Sequence, residues 1–480
     1  MNFKNSIFTT SAFVALTTTT AFADAGSTQV LNDYFQFIEK SPLVLNVSNK
    51  ADNLRSTKWS GISIASEDGN FVINIPWVEV KAGLLGGHTM SFAEKSDGII
   101  QGGELGSTEK VLFEVTHQGF EMTVTGDEDD RSFEGSYAEM GIASLPGSFI
   151  TFDMDLSGGQ SIANIKKGAT DVFTGRFSVA DSKITYDFDI EGQKTDADMT
   201  MTGLSGDYVL DWDSTINLDD PRNTIEALKQ FSMNYVVQKT TSKTNVNAGL
   251  GPMSIDVTSG LNQARMGFVN KEFDMSTSAR DMVYRVAGMG LPPMKVTFDN
   301  AEMGFGFPFD NVAKAKSADL KMKLLGLEME ETLWSMFDPL QKLPRTKADL
   351  DIDVNAQVIW DKKIAEIDPD TQEPPMRFES VNINALNLRA VGADLKANGS
   401  LDINNASFPP VPTGELNIDL AGSSQLLDAL TAAGLLPAQQ ALMARGMMGM
   451  FFKSGAGDTL NSVIEFTPNG GIMANGVPIK

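Results

Sequence analysis

Apolar and polar residues alternate with a period of two along most of this chain. Leu350, Ile352 and Val354 interleave with Asp349, Asp351 and Asp353; Ile184, Tyr186 and Phe188 interleave with Thr185, Asp187 and Asp189. Tyr208, Leu210 and Trp212 repeat the pattern with Asp211 and Asp213, as do Leu320, Met322 and Leu324 with Lys321 and Lys323. Successive side chains of a strand point to opposite faces, so such runs predict half-buried strands, apolar toward a core and charged toward water. Over residues 44–213 these runs are punctuated by glycines such as Gly119, Gly126, Gly147 and Gly192, which predicts an antiparallel meander. Residues 71–80 are nearly all apolar, as in a central strand or an edge strand kinked at Pro76. Strand patterns resume over 235–309, 378–388, 393–403 and 415–420. A last hairpin, 463–479, turns at Asn469-Gly470-Gly471.

Helical spacing is confined to short stretches. Val30, Leu31, Tyr34, Phe35 and Ile38 share one face of a predicted helix over 27–40, with Ser27 or Thr28 as its cap. Asp219-Asp220-Pro221 reads as the start of a helix over 221–231, with Ile225, Leu228 and Phe231 as its stripe. Leu333, Trp334 and Phe337 follow, stopped at Pro339, and two helices over 423–433 and 437–452 break at Gly434. Residues 368–375 read as a surface loop. The pattern predicts a mainly β (α+β) fold. Its large, twisted antiparallel sheet would curve into a groove or open barrel, with short helices capping its ends. An N-terminal half, 24–215, and a C-terminal half, 216–480, are compatible with one continuous sheet.

Composition narrows the function. Of 480 residues, 42% are hydrophobic, as expected of a core-forming chain, and the net charge is −24. That charge repels nucleic acid and disfavours anionic membrane surfaces. The absence of cysteine removes disulfides, thiol nucleophiles and thiolate metal sites. Lys4, a modestly apolar run over 7–20 and the small-x-small Ala21-Phe22-Ala23 read as a signal peptide cleaved after Ala23, hence a periplasmic protein. No later stretch approaches about 18 uninterrupted apolar residues, so no transmembrane helix is expected after signal removal.

Three stretches carry a resemblance: LWSMFDPLQKLPR over 333–345, GELNIDLAGSSQLLDAL over 414–430, and the tail 447–480, with Ile464-Glu465, Gly470 and Ala474-Asn475-Gly476. They resemble the exported bacterial family known as domain of unknown function 2125 (DUF2125), with the family-like region at about 324–480. The tail departs from the family pattern at Val477-Pro478. The resemblance implies export and a β-rich fold, and offers no catalytic residue to transfer. More distantly, the strand-rich architecture is similar to AsmA-like envelope proteins, which implies a groove-shaped sheet associated with lipid handling.

No catalytic constellation stands out. His88 and His117, the two histidines, read as isolated surface residues, which leaves too few nitrogen ligands for a metal site and no elbow motif for a triad. Asp127, Glu128, Asp129 and Asp130 read as a charged hairpin tip rather than a calcium loop. No cofactor is expected. Met443, Met447, Met448, Phe451 and Phe452 crowd one helix end, and with Trp334 and Phe337 they are the candidate apolar-ligand or capping residues. The expected function is that of an uncharacterised exported envelope protein, non-enzymatic, binding or shielding an apolar or lipid ligand in a concave sheet. The alternatives are a solid-core structural protein that binds another envelope protein and, third, a carboxylate-dependent hydrolase.

Overall fold

The computed structural model describes residues 26–39, 43–53, 55–83, 86–101, 109–127, 129–190, 192–213, 224–249, 251–309, 312–367, 375–407 and 409–479. The leader, the Asp219-Asp220-Pro221 cap, Glu128 and most of the 368–375 loop lie outside the described residues. Among the described residues the fold is mainly β: 26 strands in one antiparallel sheet, with short helices between some of them. The chain divides into two compact units, residues 1–217 with 226–254, and residues 218–225 with 255–480.

The first unit is a meander joined to one helix. α1 (Ser27–Glu39) leads into β1 (Leu43–Asn53), β2 (Ser56–Ser66) and β3 (Phe71–Ala82), each pairing with the next. The two following strands are interrupted. β4 (His88–Phe92) and β5 (Lys95–Gln101) lie end to end along β3. β6 (Lys110–Gln118) and β7 (Glu121–Gly126) lie end to end along β8 (Asp130–Ser144). β3 is therefore central, and Pro76 lies opposite Gly61, which has a φ of 60°; the pairing with β2 omits this one position and keeps its register on either side. β9 (Thr151–Lys166), β10 (Asp171–Ile190) and β11 (Gln193–Trp212) extend the meander.

The next connection corrects the predicted 221–231 helix. Among the described residues only Thr224–Ala227 is helical (α2); Leu228 and Phe231 belong to β12 (Leu228–Val237), where Phe231 faces Leu210 and Met233 faces Tyr208. LKQFSMNYVV fits either period, and the long edge of β11 decides it. β13 (Lys239–Ala248) continues β12 along the same edge.

The unit's core is where α1 meets the sheet. Val30, Leu31, Tyr34 and Phe35 are buried against Trp59, Ile62, Ile73 and Val78, and Phe35 stacks on Trp59 with ring centroids 5.3 Å apart. Thr28 does not cap this helix. Its hydroxyl donates to Asp52, within a triangle that includes Thr57, and so ties the helix start to β1 and β2.

β14 (Gly251–Ser259) runs across the division between the units. In the second unit, β15 (Asn262–Val269), β16 (Glu272–Gly288), β17 (Leu291–Pro308) and β18 (Lys316–Met329) precede α3 (Glu331–Trp334). β19 (Ala348–Trp360), β20 (Met376–Ala390), β21 (Ala393–Asn404) and β22 (Val411–Ala421) follow. From β15 to β22 each strand pairs antiparallel with the next. β22 then pairs with β24 (Thr459–Phe466) across an inserted helical hairpin, α4 (Ser423–Ala432) and α5 (Ala438–Phe451), and the short β23 (Lys453–Ser454). β25 (Ile472–Ala474) and β26 (Val477–Pro478) close the chain as the tail hairpin predicts.

Candidate functional site

The alternation of the second unit sorts its sheet into two faces, and cross-strand register aligns them into rows. One row reads Phe305–Leu320–Val354–Ile383–Gly399–Leu416–Ile464 from β17 to β24. A parallel row reads Ala301–Leu324–Leu350–Leu388–Leu395–Leu420–Leu460. Between them run Met303, Met322, Ile352, Leu386, Ala397 and Ile418. At about 4.8 Å per strand the apolar face extends roughly 30 Å across the sheet.

The opposite face carries a polar lattice. Lys321 pairs with Asp353, Lys323 with Asp351, and Arg389 with Asp349, while Asn384 and Asn461 donate to Asp353 and Asp419. The aspartates that alternate along β19 are thus held by neighbouring strands.

An antiparallel sheet ordinarily buries its apolar face under a second layer. Here the residues of the two outer rows are all half-buried or exposed. Met303, Phe305 and Leu320, which adjoin, keep 49%, 39% and 44% of their surface. Single exposed apolar residues are ordinary; a contiguous patch of this size marks a binding surface. One end of the face is closed by its own aromatic cluster. Trp360 and Val358 are buried, Phe307 and Phe309 pack on Trp360 at 6.3 and 6.0 Å, and the Trp360 indole donates to the carbonyl of Pro308 at 2.8 Å.

The predicted site residues fall into two places at the other end. Trp334 is buried, lies 5.0 Å from Phe337, and has the Arg345 guanidinium 4.4 Å over its ring. Arg345 also binds Glu331 and donates to Asp338 at 2.6 Å. Asp338, fully buried, further accepts the backbone amides of Lys342 and Leu343, each at 2.9 Å. Burial pushes the Asp338 carboxyl up, but the guanidinium and the two amides prevail and hold it below the usual aspartate value. The Trp-x-x-Phe-Asp-Pro…Leu-Pro-Arg run is therefore a lock that fixes the loop between β18 and β19, with its polar groups satisfied inside the loop.

Met443, Met447, Met448, Phe451 and Phe452 sit on and just after α5. Met448, Phe451 and Phe452 are half-buried, while Met443 and Met447 keep 60% and 54% of their surface. The helix is thus only half covered. Its hairpin is tied down at both ends. The Asp458 carboxylate accepts the amides of Ser424 and Gln425 at the start of α4, and Arg445 of α5 pairs with Asp428 of α4 at 2.6 Å. At the end of α5, the Phe451 carbonyl accepts Ser462 Oγ at 2.7 Å and Asn475 Nδ2 at 2.8 Å. The Ala-Asn-Gly of the tail is thus a helix anchor, with Ala474 fully buried and Asn475 at a φ of 51°.

His117, in the first unit, is half-buried rather than superficial. Its Nε2 donates to the Ala93 carbonyl at 2.8 Å, and burial holds its pKa below the ordinary histidine range. It borders an apolar cavity of about 70 Å³ with Tyr34, Phe92 and Phe120. Small-molecule sites run to roughly 300–1,000 Å³, so this cavity is a packing defect in scale. At the tip between β7 and β8, Asp127 Oδ1 accepts the amides of Asp129 and Asp130 in an Asx turn.

The lock and the tail anchor lie inside a stretch with a known counterpart. Residues 254–479 match the bacterial family described as "Uncharacterized protein conserved in bacteria (DUF2125)". Over this region the chain is similar to DUF2125. The match begins well before the motif-bearing stretches and takes in the strands that form the apolar rows. No curated protein and no solved structure matches the chain.

Proposed function

We propose that this chain is an exported, non-enzymatic envelope protein that shelters an acyl chain on the apolar face of its DUF2125 unit, with the sheet curved as a groove around the guest. The observation that carries this reading is the set of apolar rows from β17 to β24, which the described residues leave half-covered or exposed. Each methylene removed from water contributes about 0.8 kcal/mol, so an acyl chain laid along the rows gains strongly without a specific polar contact. A sheet face of aliphatic and thioether side chains suits such a guest better than a polar substrate. Export rests on Lys4, the apolar run that follows and Ala21-Phe22-Ala23, and the proposed compartment is the periplasm.

A non-catalytic role is consistent with the titratable groups. Asp52, Asp68, Glu331, Asp338, Asp349 and Asp458 are all shifted below their usual values, whereas a general acid working near neutrality needs the opposite shift. The test is to strip the purified chain of lipid, refold it, and incubate it with total envelope lipid. After re-isolation, mass spectrometry should find diacyl lipid near one equivalent. A chain that returns lipid-free, or that carries one stoichiometric protein partner instead, would replace this reading with that of an interaction protein.

A further inference from the structure

The connections of the second unit separate into two chemically different sets. Those between β15 and β16, β17 and β18, β19 and β20, and β21 and β22 leave one end of the sheet. They are rich in charge and amide: Asn270 and Lys271; Lys314; Asp361, Lys362, Lys363 and Glu366; Asn404 and Asn405. The connections between β16 and β17, β18 and β19, β20 and β21, and β22 and β24 leave the opposite end. There the tips are apolar. Met289 and Leu291 keep 39% and 40% of their surface on the first, and Met336 and Leu340 keep 51% and 61% on the second. The third is Ala390-Val391-Gly392-Ala393, which carries no charge.

The fourth connection is the α4–α5 hairpin, and it exposes the most. Leu442, Met443, Met447 and Met450 project from one side of α5 with 54–70% of their surface free, while Ala441 on the other side is buried. α5, AQQALMARGMMGMF, has one charged residue, Arg445, and that is already paired with Asp428. Gln439, Gln440 and Arg445 are its polar residues, and an exposed helix side made mostly of Leu and Met belongs in a core or in lipid. At 14 residues it is about 21 Å long, too short to cross a bilayer core of roughly 30 Å.

We infer that this end of the DUF2125 unit docks on a bilayer surface, with the α4–α5 hairpin and the neighbouring turn tips seated in the interfacial layer of neutral lipid. The apolar positions stand on separate tips rather than along one groove. A fluid apolar medium covers such tips individually, whereas a protein partner would need a contiguous complementary surface. The net charge of −24 selects zwitterionic over anionic lipid. The inference deepens the acyl-shelter reading and rests on it for its purpose: the docked end is where the apolar rows are not sealed by the Trp360 cluster.

Flotation with phosphatidylcholine–phosphatidylethanolamine vesicles tests it, using the full chain and, in parallel, the chain from Asp24 so that binding through residues 1–23 is separated. Both should float, less so when anionic lipid is added. Met443→Glu with Met447→Glu should lower partitioning by about tenfold or more at an unchanged melting temperature, since each methionine withdrawn from lipid forfeits more than a factor of ten. Val269→Glu, at the opposite end, should float like the wild type. Hydroxyl-radical footprinting should show Met289, Met336 and Met450 protected by vesicles and Met266 unchanged.

Failure of the chain from Asp24 to float, a double variant that floats normally, or a dimer that the double variant dissolves would each overturn the inference. Lipid carriage measured without vesicles separates the two readings. A chain that retains lipid but does not float loses only the docking inference, and one that does neither loses both.

Discussion

Asp338 shows how a residue that looks functional in sequence can be wholly structural. It is a buried carboxylate within the most recognisable motif of the chain, and each hydrogen bond it accepts stays inside its own loop. Its pKa is depressed in the folded state, so it binds a proton less readily folded than unfolded. Its stabilising effect is complete above the usual aspartate value of 3.8 and is lost as pH falls through the lowered value. Asp338→Asn should lower the melting temperature at neutral pH and flatten its decline below pH about 4; an unchanged acid profile would disconnect Asp338 from the lock. Trp334→Ala, which empties the lock of its ring, should destabilise by about 3–5 kcal/mol in denaturant titration. The sequence placed Trp334 and Phe337 together correctly, but not their partner. Arg345 lies beyond two prolines, and nothing in residue spacing shows which ring it covers.

At the scale of elements, period-two alternation located the strands, because a sheet with one apolar face imposes it directly. It failed where two periods coexist. Leu228 and Phe231 satisfy a helix as well as a strand, and the free edge of β11 decided between them, which is information from outside the segment. Close strand packing also leaves a trace that alternation misses. The Tyr208 ring lies over Gly175, its direct neighbour across β10 and β11, and a Cβ at Gly175 would meet that ring at 2.4 Å. Gly175→Ala should therefore destabilise by about 1–3 kcal/mol through overpacking, measured by chemical denaturation. In the hairpin, Asn475→Ala should release the Phe451 carbonyl and cost about 1–2 kcal/mol locally. Hydrogen exchange of the last turn of α5 should then quicken while exchange in β19 stays unchanged. Equal acceleration in both would mean that Asn475 holds the whole unit rather than the helix end.

At the scale of the molecule, the division of labour between the two units is the feature that sequence could not show. Both have the same alternating grammar. In the first, α1 buries Val30, Leu31, Tyr34 and Phe35 against the sheet and makes a conventional core. In the second, the rows from β17 to β24 have no such helix, and their side chains remain half-covered. Alternation reports that a face is apolar and is silent on what covers it. The methionine-rich stretch 443–450 signalled an adaptable surface, yet only the strand order shows that it shares one end of the sheet with Met289, Met336 and Leu340.

The central claim is that the apolar rows hold an acyl chain, and the most direct measurement is lipid retained per chain after delipidation and re-exposure, compared between wild type and a Leu320→Glu/Leu388→Glu variant. Both side chains are more than two-fifths exposed, the most open positions of the two outer rows, so the substitutions disturb packing least there. The account predicts about one lipid per wild-type chain and a loss of at least tenfold in the variant, with unchanged circular dichroism. Equal lipid in both proteins, or none in either, would contradict it.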